Sequence, residues 1–80
     1  MLTKHAQERM KQRGFTKEHI DLILHHGVRK RVGSAVRHQF TKKIAHQLRF
    51  QGYPPNLLDK CKSSYVVSHD DIIITIAHMH

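Results

Sequence analysis

Tyr65-Val66-Val67-Ser68-His69-Asp70-Asp71-Ile72-Ile73-Ile74-Thr75-Ile76-Ala77 is the stretch that decides the fold. Two runs rich in β-branched residues flank a short His-Asp-Asp connection, the pattern of an antiparallel hairpin. The unbroken isoleucines call for a strand covered on at least one face. Strict alternation puts Ile72, Ile74, Ile76 and His78 on one face and Ile73, Thr75, Ala77 and Met79 on the other. The second set is smaller and carries a hydroxyl, so it is expected on the more open side.

Upstream of the hairpin, Val28-Arg29-Lys30-Arg31-Val32 reads as a short basic strand, with Gly33-Ser34 as the turn into a second strand from Ala35 to Phe40. Thr41 is placed to cap a helix over Lys42 to Gln51 that turns Ile44, Ala45 and Leu48 inward. Gly52 and Pro54-Pro55 stop that helix, and Asn56 to Lys62 reads as one more helical turn. At the start of the chain a helix is expected from Thr3 to Arg13, ended by Gly14. A second follows from Lys17 to His26, capped by Thr16 and closed by Gly27. His25 and His26 then suit the negative end of that helix as caps. The expectation is a single domain over residues 1–80 of α+β class. Two N-terminal helices pack on an antiparallel sheet of about four strands, with an inserted third helix and a C-terminal hairpin.

Eighty residues bury only about 60–65 % of the surface that their unfolded chain exposes, so stability is expected to be marginal and a weak homodimer would help. No apolar run reaches ~18 residues and no signal-peptide pattern is visible, so neither a membrane span nor secretion is expected. The single Cys61 fits a reducing cytoplasm and reads as a buried free thiol. Charge is lopsided, with 14 Lys and Arg against 6 acids. No acid lies between Asp21 and Asp59, whereas Arg29, Lys30, Arg31, Arg37, Lys42, Lys43 and Arg49 all do. Such a field favours nucleic acid, or an acidic protein that mimics or masks it. The 9 histidines include no His-Glu-x-x-His pattern and no cysteine pair accompanies them. No metal or cofactor is expected, although His78 and His80 fall on one side of an extended tail.

One further alignment carries chemistry. Leu2, Ala6 and Met10 form the apolar stripe of the first helix, and His5, Arg9 and Arg13 run beside it at intervals of one turn. A histidine and two arginines at the border of a core can be held firmly and still meet a phosphate. The pattern His5-Ala6-x-x-Arg9-Met10-x-x-Arg13-Gly14-Phe15, a second helix and the closing Ile73-Ile74-Thr75-Ile76 resemble the small bacterial domain of unknown function 4258. That family is grouped with the fold of barnase, EndoU, the colicin ribonucleases and RelE-type toxins. The resemblance implies a toxin-like, metal-independent endoribonuclease that acts on RNA and is often paired with an antitoxin, with His5, Arg9, Arg13 and Thr75 as its catalytic positions; the basic charge would suit an acidic antitoxin. In that scheme His5 transfers a proton, the two arginines hold the phosphate, and His38 or His46 supplies the second proton transfer. The alternative is a non-catalytic basic module that binds nucleic acid or an acidic protein.

Overall fold

Threonine sets the start of each of the first three helices. In the computed structural model, which describes residues 2–78, α1 is Lys4–Gln12, α2 is Lys17–His26 and α3 is Lys42–Phe50. The hydroxyls of Thr3, Thr16 and Thr41 accept from the backbone N–H of Ala6, His19 and Ile44 respectively, each satisfying a donor that the first turn leaves free. At Thr16 the box closes with a histidine in the usual Glu or Gln position: the Thr16 N–H donates to His19 Nδ1 at 2.8 Å. Gly14 follows α1 with φ of 69°, the left-handed conformation that ends a helix. The helical turn expected after the proline pair is α4, Pro55–Cys61, with Pro55 in its first turn.

The strands are β1 (Val28–Val32), β2 (Ala35–Phe40), β3 (Ser64–His69) and β4 (Ile72–His78). They form one antiparallel sheet in the order β1-β2-β3-β4, with α3 and α4 inserted between β2 and β3. The fold is α+β. Asp70 and Asp71 both have positive φ, 47° and 65°, as a two-residue type I′ turn requires. Gly27 joins α2 to β1, and a Cβ there would meet the Ile23 carbonyl oxygen at 2.4 Å. Only glycine fits that close approach.

Pairing assigns the faces. Arg29 with His38 and Val66, and Arg31 with Val36 and Ser68, share the face that α2 covers. Lys30, Arg37, Val67 and Thr75 line up on the opposite face, beside Val28, Gln39, Tyr65 and Ala77. On the helix side Phe40, Val66 and Ile76 are fully buried, and they join Ile20, Ile23, Leu48, Leu58 and Cys61 in one core. None of the residues named on the other face is buried.

Strict alternation fails in β4. Val67 pairs with Thr75 but Ser68 pairs with Ile73, so Ile74 is an extra residue. This bulge shifts the parity. Ile73 and Ile76 therefore both enter the core, while Ile72 and Ile74 are exposed, which corrects the assignment of Ile72, Ile74 and Ile76 to one face. Thr75 and Ala77 do lie on the open side. His78 stays on the covered side, its ring 5.0 Å from that of Phe15. Met79 and His80 lie outside the described residues.

The outer edge of β4 is closed by the start of the chain and α1. Thr3 donates from its N–H to Ile73 O at 3.0 Å and from its hydroxyl to Ile74 O at 3.3 Å. The Arg13 guanidinium donates to Ile76 O at 3.2 Å. These bonds occupy carbonyls that an edge strand otherwise leaves to solvent or to another chain. Arg13→Ala is expected to cost about 1 kcal/mol of stability in urea titrations, the ordinary worth of such a bond. An unchanged midpoint would show that Arg13 does not tether α1.

Candidate functional site: a cleft beside the basic edge

The opposite edge is left open. All five residues of β1 are exposed, and three of them are cations. Between this end of the sheet and the first two helices lies a cleft of about 900 Å³. Its apolar wall comes from Leu2, Met10, Ile20, Leu24 and Ile73. Its polar side comes from Arg29, Arg31, His38 and Ser68 on the sheet and Lys17 and Asp21 on α2. The hairpin turns close one end with Ser34, His69, Asp70 and Asp71. His69 ties those turns together, donating from Nδ1 to Ser34 O at 2.6 Å while Nε2 lies 3.3 Å from Asp70 Oδ2.

His38 is the most enclosed polar group at this cleft, 6 % exposed. Its Nε2 lies 3.0 Å from Ser68 Oγ, and Nδ1 is buried with no hydrogen-bond partner among the described residues. Burial first, and then the neighbouring Arg29 charge, push its pKa below the ordinary histidine value of 6.5. The imidazole is therefore neutral at pH 7. His19 is also lowered, by burial and then by Lys60, with Glu18 opposing. Between the lowered folded values and an unfolded value near 6.5 the unfolded chain binds more protons, so stability rises with pH. Urea midpoints should fall as pH is lowered from 7.5 to 5, and His38→Gln should flatten part of that slope. An identical slope in the variant would place His38 in water.

The four residues named from the opening helix and closing strand do not meet here. His5 is exposed on α1 and Arg9 is half-buried. Arg13 is engaged with Ile76 O, and its own carbonyl accepts from Lys60 Nζ. Thr75 lies on the open face across from Val67. None of the four borders the cleft. The seven basic positions divide among three surfaces: Arg29 and Arg31 toward the cleft, Lys30 and Arg37 on the open face, and Lys42, Lys43 and Arg49 exposed on α3. His46, the other candidate for proton transfer, is exposed on α3 beside Phe50.

Other polar groups have structural explanations. His25 is exposed, and His26 Nε2 lies 3.2 Å from the Tyr53 hydroxyl. Burial pushes the Cys61 thiol up to about 12, which leaves it protonated and unreactive at neutral pH. Among the described residues no group of three or more His, Cys, Asp or Glu is placed to hold a metal, and no helix is long and apolar enough to cross a membrane. Ser68 escaped the sequence reading as a site residue. Its signal was polarity at an inward strand position, since Ser68 follows Val66 by two residues and must face the same way. Comparison with protein-family models, curated proteins and solved structures finds no match to this chain.

Proposed function

We propose that this chain is a small cytoplasmic, toxin-like protein that grips RNA along β1 and cuts it without a metal in the adjoining cleft. The observation that carries the reading is the row shared by Arg29 and His38, which sets a guanidinium beside a neutral imidazole. Arg31 and Ser68 occupy the next row of the same face, joined through Val36.

Cleavage at the 2′-hydroxyl needs a proton acceptor, cations for the phosphorane and a proton for the departing 5′-oxygen. With His38 protonated at Nδ1, Nε2 accepts the Ser68 proton as Ser68 Oγ takes one from the 2′-hydroxyl. The 2′-oxygen then bonds to phosphorus and the bond from phosphorus to O5′ breaks. Arg29 and Arg31 balance the added charge on the non-bridging oxygens; O5′ takes its proton from solvent water, and His38 then releases the proton on Nε2 to solvent, so the charge balances. A buried free thiol suits the reducing compartment in which such a protein would work. An acidic antitoxin would cover the same cations.

A non-catalytic module that binds nucleic acid or an acidic protein is the second reading. It is favoured by the engagement of Arg13 with a strand carbonyl, which draws that guanidinium away from substrate.

RNA and its 2′-deoxy counterpart, each incubated with the protein in EDTA, test the proposal. The RNA alone should be cut, leaving 2′,3′-cyclic phosphate ends. Uncut RNA would leave the binding module. A competing helix-edge site predicts that His5→Ala and Arg9→Ala abolish cutting while His38→Gln and Ser68→Ala do not; the cleft predicts the reverse.

A further inference from the structure

The open face of the sheet is left unused by the cleft chemistry. Its central residues come from all four strands, and none of those strands carries a carboxylate. The Arg37 guanidinium carbon lies 4.3 Å from the centre of the Tyr65 ring. The two are diagonal neighbours, since Arg37 pairs with Val67 and Gln39 with Tyr65. Arg37 Nε is buried without a hydrogen-bond partner among the described residues. The guanidinium is therefore held by stacking on the ring rather than by bonds at that edge. Lys30 pairs directly with Arg37 across β1 and β2, one strand spacing away, roughly 4.8 Å.

We propose that this face is a platform for single-stranded RNA, in which an unpaired base stacks on the guanidinium of Arg37 while Lys30 meets the adjoining phosphate. The proposal rests on the RNA reading given above and adds the strandedness of the substrate. A planar cation seated on an aromatic ring offers a π-face to a base, and a duplex keeps its base faces hidden. Gln39 and Thr75, on the same face, add donors and acceptors for base edges. An acidic protein would answer the charge of Lys30 and Arg37 but would gain nothing from the stacked plane. β1 links the platform to the cleft, because Lys30 faces one side while Arg29 and Arg31 face the other. A strand crossing this edge meets cations throughout.

Fluorescence anisotropy with labelled 2′-O-methyl oligonucleotides, which cannot be cut through the 2′-oxygen, tests the idea on the full chain. Single strands should bind more tightly than the same sequence in a duplex. Arg37→Lys keeps the charge but removes the plane, and should weaken single-strand binding by about 5- to 150-fold, the worth of one stacked base. Tyr65→Leu should do the same, with thermal unfolding checked for both. Lys30→Ala, at an exposed position, should reduce the slope of log affinity against log salt by about 0.7. If the wild type binds neither form, the RNA reading fails and the platform with it. RNA binding that is equal for duplex and single strand, or unchanged in Arg37→Lys, overturns the platform alone. So does tighter binding of polyglutamate than of RNA.

Discussion

Phe40→Ala should leave much of the chain unfolded at 25 °C. Phe40 is fully buried where β2 ends, and its carbonyl accepts from the Ser63 N–H at 2.8 Å as the chain enters β3. Truncating a buried phenylalanine costs about 3–5 kcal/mol. A chain of 80 residues has roughly 4–12 kcal/mol in all, at 0.05–0.15 kcal/mol per residue. The variant should therefore show a broad loss of cooperative unfolding in urea followed by circular dichroism. Phe50 provides the internal control. It has the same side chain ten residues later but is 81 % exposed at the end of α3, so Phe50→Ala should stay within about 0.5 kcal/mol of wild type. A loss of less than about 1 kcal/mol for Phe40→Ala would mean that β2 does not pack against the helices.

The second large effect is chemical. His38→Gln should lower the rate of RNA cleavage by about 10²–10⁴-fold, the ordinary contribution of a positioned proton-transfer group. Glutamine keeps a polar atom within reach of Ser68, so folding and RNA affinity should change little. In the wild type the rate should fall as pH drops through the lowered pKa of His38, because the protonated ring can no longer accept from Ser68. A rate that is flat down to pH 5, or that rises with acidity, would remove His38 from the role of acceptor.

The local structure was largely legible in the sequence because each boundary has a local cause. Threonine caps, Gly14, Gly27 and the proline pair mark where helices begin and end, and each acts within a few residues of its position. Thr16 and Gly27 bracket α2 at Lys17–His26, the limits expected for it. The turn at Asp70 and Asp71 could likewise be read from its own residues. The bulge at Ile74 could not. Five consecutive β-branched residues, Ile72 to Ile76, carry no mark of which one lacks a partner, and that depends on the register with β3.

The cleft was hidden for a related reason. It lies between the sheet and the first two helices, and its central pair, His38 and Ser68, is brought together across 30 residues of chain. The apolar stripe of Leu2, Ala6 and Met10 marked the inward side of α1, which packs against β4. Which polar side chains would fill that junction was not encoded in the stripe. Arg13 bonds a strand carbonyl there while Thr75 turns to the far face.

The most direct measurement is single-turnover cleavage of a single-stranded RNA in EDTA by wild type and His38→Gln, with affinity for an uncleavable analogue measured in parallel. The cleft account predicts a rate at least about 100-fold lower in the variant, with affinity within about twofold. Equal rates in the two proteins, or no cutting by the wild type, would contradict it.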